Sequence, residues 1–372
     1  MAPKSDPSGA GAAVGQMAES LTAAGTSGAN TAKAIRGIEI PGKDSQTIDA
    51  ARNRMEALGM LTALQGRRMV TLAGCMQAFE KTLNTYWQKM SAARDEQKKL
   101  AADFATASAA FADRSRLRQV DATWWTDGKT RFKEPSVLQQ EMGENKKRQE
   151  AIVGEFTAAQ FAIRQKALGT TSAVNPRDAA GTVRIDTMVN KVIDQNYMYA
   201  WGGGGPKGPS LGVSDNGGDA DLFGDQNIVG FDCSGLAAFL LQQTEGTTIG
   251  ITSEAQYAQG TPVEGDPQPG DLVFPAGSFE NGAPKHVQYY LGNGMVMEAP
   301  ESGKPIQIVP VAPDSQFRTP GAVDPQDWGV RRTHPDPGMI TPPPNPFDPM
   351  NVIQFGEYGQ STPYDGPPKP VE

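Results

Sequence analysis

From Met69 to Phe111 apolar residues fall at alternating steps of three and four: Met69, Leu72, Met76, Phe79, Leu83, Tyr86, Met90, Ala93, then Leu100, Phe104, Ala107 and Phe111, with polar Gln97 on the same line. Only a helix brings such positions onto one face. At about 1.5 Å of rise per residue the seam is roughly 60 Å long, so it needs a partner running beside it. A second helical pattern, from Ser136 to Leu168, supplies one through Leu138, Met142, Ile152, Phe156, Ala159 and Ile163. Between the two, Thr123-Trp124-Trp125-Thr126-Asp127-Gly128 reads as a turn. Residues 45–168 are therefore expected to form a long, all-α, coiled-coil-like hairpin. Its Met and aromatic stripe reads as core packing, and Cys75, beside Met76, as a small semi-buried thiol.

The flanks differ. Residues 1–44 are rich in Ala, Gly, Ser and Thr and read as a flexible segment with a short helix near Val14–Ala24. Residues 169–177 read as a linker. A third helical pattern runs from Asp178 to Tyr197, and beyond Tyr199 glycines, turns and short strands take over. Leu272-Val273-Phe274, the segment from His286 to Leu291, Met295–Ala299 and Ile306–Val311 carry strand patterns, and Gly292-Asn293-Gly294 marks a hairpin turn. Residues 178–333 are thus expected to be one α+β domain. The Pro-rich tail, 334–372, reads as extended and solvated.

Composition narrows the chemistry. A net charge of −8 gives no footprint for nucleic acid or an anionic membrane surface, and no apolar run approaches the roughly 18 residues of a membrane span. The two cysteines, Cys75 and Cys233, exclude a disulfide scaffold or four-cysteine zinc site. The two histidines, His286 and His334, do not form a helical zinc motif. No metal and no cofactor is expected. The N-terminus has no charged-then-apolar signal pattern.

What remains is Gly230-Phe231-Asp232-Cys233-Ser234-Gly235-Leu236, a turn feeding an apolar helical run. A thiol there sees the positive end of the helix dipole, which favours the thiolate as a nucleophile. His286, opening a strand, is the candidate base. A thiolate attacks a carbonyl, and the imidazolium protonates the leaving amine. The ring needs an orienting acceptor, and Glu298, in the strand across the Gly-Asn-Gly turn, is the candidate, although register is not legible from sequence.

These residues lie within motifs that resemble the NlpC/P60 peptidases of bacterial cell walls, which have a papain-like fold. Tyr199-Ala200-Trp201-Gly202-Gly203 is similar to the family's Tyr-x-Trp-Gly-Gly motif, and Phe231–Leu236 to its nucleophile motif. Ser253-Glu254-Ala255-Gln256 resembles its Ser-x-x-Gln segment, Pro269–Phe274 its Pro-Gly-Asp-Leu strand, and His286–Gly292 its His strand. The resemblance runs from about Arg184 to Arg332. It implies a cysteine peptidase that hydrolyses an amide bond in peptidoglycan stem peptides, between D-glutamate and a diamino acid such as diaminopimelate. Cys233 would be nucleophile, His286 base and acid, and Glu298 orienter. Tyr199, Asp232 and Ser234 match positions that line the cleft and bind substrate.

Three departures stand out. The stretch between Trp201 and Cys233 is long and holds Asp215, Asp219, Asp221 and Asp225, read as a plain loop rather than a calcium site. Ile251 stands where an Arg is often seen. Gln288 and Tyr290 replace small or aliphatic residues of the His strand, pointing to altered packing. The helical hairpin lies outside the family's core. Its Trp-Trp-Thr-Asp-Gly turn is similar to the Trp-x-Gly turn of type VII secretion substrates, though its spacing differs. The hairpin is therefore expected to target, to inhibit, or to meet a secretion system or another copy. The protein is expected in the cell wall or medium, by a route without a classical signal peptide. The competing reading is a catalytically silent wall-peptide binder or scaffold acting through the hairpin.

Overall fold

A computed structural model describes residues 8–38, 46–175 and 178–323. The chain opens with helix α1 (Ser8–Arg36) and helix α2 (Gln46–Phe111). Strands β1 (Arg118–Gln119), β2 (Trp124–Thr126) and β3 (Arg131–Lys133) follow, and then helix α3 (Pro135–Leu168). Packing divides the molecule into two units. One holds the described residues up to Ala23 with Leu72–Arg164; the other holds Ala24–Thr71 with the described residues from Gln165 on. The division thus cuts within α1, α2 and α3 rather than at the expected boundaries of 44, 168 and 178.

In the first unit α2 and α3 lie antiparallel. Leu83, Tyr86 and Met90 pack with Phe156, while Leu100 and Ala107 pack with Leu138. The ion pairs Lys89–Glu155 (2.6 Å) and Glu96–Arg148 (2.9 Å) run in the same opposed order. The expected seam is therefore a packing face. Cys75 is buried rather than semi-buried.

Two expectations for this region are corrected. The hairpin is not all-α, because the Trp-Trp segment forms the middle strand of the sheet β1-β2-β3. Trp125 is buried edge-on against Phe111, with the Arg114 guanidinium 4.5 Å from its ring centroid, so these aromatics fill a tip core. Nor is the N-terminal segment flexible throughout: Ser8–Arg36 is helical. The small residues that suggested mobility allow close helix packing. A Cβ on Gly25 would fall 2.7 Å from the Gly66 carbonyl oxygen, and one on Gly66 would fall 2.8 Å from that of Gly25. The Pro-rich tail and His334 lie outside the described residues.

The second unit carries the sheet. Helix α4 (Ala179–Gln195) is capped by Asp178, whose carboxylate accepts from the Gly181 N–H. Then come strand β4 (Ser210–Leu211), helix α5 (Asp219–Phe223), strand β5 (Val229–Gly230), helix α6 (Cys233–Glu245) and helix α7 (Ser253–Gln259). The strands that follow are β6 (Thr261–Pro262), β7 (Leu272–Phe274), β8 (Phe279–Glu280), β9 (Ala283–Pro284), β10 (Gln288–Gly292), β11 (Met295–Glu298), β12 (Gln307–Pro310) and β13 (Gln316–Thr319). The main sheet is antiparallel, in the order β12-β11-β10-β7-β13-β6. Side chains alternate across it. Leu272, Phe274, Tyr289, Leu291 and Met297 join α4 and α6 in one core, while Val273, Tyr290 and Val296 form a cluster of their own. Tyr290, a departure from the expected strand, stacks edge-on with Phe317 there.

Between α3 and α4 the expected linker is fastened over its described part. The Ala173 N–H donates to the Leu291 carbonyl (2.8 Å), and the Thr171 carbonyl accepts from Asn293 (3.0 Å). Gln165, at the end of α3, accepts from the Ile308 N–H of edge strand β12 (2.6 Å). Arg68 of α2 forms a buried ion pair with Asp186 of α4 (2.8 Å) and also donates to Ser172 (2.6 Å).

Candidate active site

Cys233 is the first residue of α6 and is 9% exposed. Asp232 caps the helix: its Oδ1 accepts from the Gly235 N–H (2.6 Å) and from the Ser234 hydroxyl (3.0 Å). Ser234 also lies 2.8 Å from the Ile251 carbonyl. The first turn sits against the Gly203-Gly204 backbone. The Asp232 N–H donates to the Gly203 carbonyl (3.0 Å), and a Cβ at position 235 would fall 2.5 Å from that same oxygen. Glycine at 235 is what lets the two segments touch.

The Ser-x-x-Gln segment, at the start of α7, ties both sides of the site together. Gln256 Nε2 donates to the Ser234 carbonyl (2.9 Å) and the Gly250 carbonyl (2.6 Å). The Ser253 hydroxyl donates to the Pro284 carbonyl (2.9 Å), two residues before His286.

His286 was expected to open a strand, but β10 begins at Gln288. The pairing Tyr289↔Met297, extended by one residue, sets Gln288 rather than His286 opposite Glu298. The ring still reaches that carboxylate, with Nε2 at 2.8 Å from Oε2. An ionised carboxylate only accepts, so Nε2 carries the hydrogen and Nδ1 is left for the sulfur. Burial pushes the imidazole towards neutrality. Hydrogen bonding to Cys233 and Glu298, together with their charge, outweighs that and raises His286 from 6.5 to about 10. Glu298 is affected in the opposite sense. Burial raises its carboxyl, but bonds from His286 and Gln288, the charge of His286 and a bond from Gln307 hold it below the usual range. The structure thus brings together Cys233, His286 and Glu298 in a largely buried set in which His286 and Glu298 are ion-paired.

Tyr199 is buried in the same core cluster as Cys233, where its backbone bridges Phe231 and its N–H donates to the Lys304 carbonyl (2.8 Å). In the acidic loop, Asp215 accepts from the N–H groups of Gly218, Ala220 and Asp221. Buried Asp225 accepts from the Trp201 N–H (2.8 Å) and the Ser302 hydroxyl (2.8 Å), which fixes the Tyr-x-Trp-Gly-Gly turn. No cluster of three or more His, Cys, Asp or Glu side chains suited to a metal occurs among the described residues. Sequence reading missed two glutamines. Gln288 and Gln307 both donate to Glu298, at 2.7 and 2.8 Å. Gln288 stood out only as an unusual strand residue, and Gln307 carried no signal, since its role depends on register.

A cysteine at a helix start, an imidazole and a carboxylate behind the ring thus come together on an α+β papain-like fold. Residues 196–318 of the chain match the NlpC/P60 family. Peptidoglycan endopeptidase RipA of Mycolicibacterium smegmatis is 30% identical over 163 residues, 43% of this chain and 30% of its own length. Peptidoglycan endopeptidase RipB of Mycobacterium tuberculosis is 40% identical over 114 residues, 30% of this chain and 42% of its own. The P60 domain of an antigen from M. avium subspecies paratuberculosis is 33% identical in a superposition covering 39% of this chain and 98% of that domain, with a TM-score of 0.30. The chain spans less than half the length of the curated relatives it matches first.

Proposed function

We propose that the protein is a peptidoglycan endopeptidase that hydrolyses an amide bond of the peptide stem, between D-glutamate and a diamino acid, by cysteine chemistry. Cys233 Sγ attacks the carbonyl carbon as the thiolate. The C–N bond breaks as His286 gives its proton to the leaving amine, and water then cleaves the thioester with His286 as base. Glu298 holds the ring and its charge. The backbone N–H of Cys233, at the start of α6, offers a donor to the oxyanion. We read Tyr199 as part of the cleft wall. Asp232 and Ser234 we read as holding the first turn of α6, with any contact to the stem peptide secondary to that. We further propose that the α2–α3 hairpin serves targeting or export to the wall.

The observation that carries the reading is the His286–Glu298 pair, with the Cys233 sulfur as the ring's other partner. The relatives' printed activity supports the choice of peptidoglycan. Purified peptidoglycan should release stem fragments with the wild type and none with Cys233→Ala. Mass spectrometry of the new termini identifies the bond. Equal release by both proteins, or new termini elsewhere in the stem, would overturn the mechanism or the bond respectively.

A further inference from the structure

Three adjacent strands each bring one polar side chain to the same level of the sheet: Gln288 on β10, Glu298 on β11 and Gln307 on β12. Glu298 and Gln307 are directly paired, and all three follow the alternation that puts Val296, Tyr290 and Val309 on one face. Both carboxylate oxygens are engaged. Oε1 accepts from Gln307 (2.8 Å), while Oε2 accepts from Gln288 (2.7 Å) and from His286 (2.8 Å). We propose that Gln288 and Gln307 are positioning residues, a pair of neutral amides that clamps Glu298 in its ionised form so that it holds the His286 ring at all working pH values. The inference rests on the cysteine-hydrolase reading above and deepens it.

Orientation is fixed by the chemistry. Turned over, the Gln288 amide would set its oxygen against the carboxylate, so Nε2 must face Glu298. Its buried Oε1 is then left without a hydrogen-bond partner, a cost that a bond to a charged acceptor offsets. Amides suit the task because they donate at every pH and hold no proton that the imidazole could exchange. A lysine or arginine would also donate, but would draw the carboxylate's charge away from the ring. The charge that reaches Glu298 is that of His286. From β10 and β12 come only the two amides, and Cys233 on α6 acts through the ring. Lys285, next to His286, is paired with Glu254 of α7 at 2.8 Å.

The test is the pH dependence of Cys233 alkylation by iodoacetamide, read by mass spectrometry on the peptide that contains it, beside the pH profile of stem-peptide hydrolysis. In the wild type Glu298 stays ionised across the acid limb. Removing a donor raises its pKa, so the ring loses its anchor sooner as pH falls. Gln288→Met and Gln307→Met should each move the acid limb up by about one pH unit, and the double variant further. Gln307→Lys, at a half-buried edge position, keeps a donor on the already ionised carboxylate and should raise the limb by well under one unit. Limbs that coincide with the wild type while rates fall evenly would overturn the clamp and leave the glutamines as packing. So would a limb raised by a full unit in Gln307→Lys, which retains a donor and keeps the test decisive if a Met variant fails to fold. A wild type that hydrolyses no peptidoglycan would remove the proposed function, while the alkylation profiles would still decide the clamp.

Discussion

At the scale of single residues, the ionic set makes stability depend on pH in a definite sense. His286 is raised from 6.5 to about 10 in the folded chain, so its contribution is full below about 6.5 and is lost as pH rises through about 10. Glu298 is held below its ordinary value of 4.5, so its contribution is present above that value and is lost as pH falls through the folded one. Urea midpoints of the wild type and His286→Gln should therefore differ most near pH 6 and converge as pH rises from 6.5 towards 10. A difference independent of pH would mean that the imidazole is not ion-paired. The candidate residues Cys233, His286 and Glu298 stand out in the sequence because their motifs are local: a glycine-flanked cysteine, a histidine beside a strand, a lone charge in an apolar run. Gln288 and Gln307 do not. They matter only through the pairing of three strands, and a one-residue slip would turn either amide to the opposite face.

At the scale of elements, periodicity read the long helices correctly, because burial of one stripe per turn is written along the chain. It failed where elements are short. With three residues, β2 is too brief to show alternation, and Trp124-Trp125 therefore passed for a turn. It failed again at α1, where glycine and alanine suggested a loose chain. There the small side chains are what bring two backbones together, as the Gly25–Gly66 approach shows. Gly66→Leu should push α1 off α2 without unfolding the sheet. Limited proteolysis should then cut within Ser8–Arg36 at low protease, while Cys233 alkylation stays at the wild-type rate. An α1 as resistant as before would show that the close approach does not hold it.

At the scale of the whole molecule, the buried Arg68–Asp186 pair joins α2 to α4 inside one packing unit. Burial raises the Asp186 carboxyl despite the guanidinium beside it, so the pair operates with little solvent. Arg68→Met leaves an uncompensated buried carboxylate and should cost roughly 3–5 kcal/mol. Arg68→Met with Asp186→Leu should recover most of that loss. Urea denaturation of the three proteins tests this, and a double variant no more stable than the single one would assign the loss to packing instead.

The same join bears on how this domain can be transplanted. The family match covers 196–318, yet α4, which lies outside it, shares the core that holds Cys233. Arg68, Gln165 and Ser172 lie further upstream still, and Gln165 closes the open side of the sheet at β12. A graft cut at the borders of that match would carry Cys233, His286 and Glu298 but expose an apolar face and a bare strand. The smallest piece that can be swapped into another chain with its edges sealed has to begin before Gln165 and bring along a helix to stand in for Arg68.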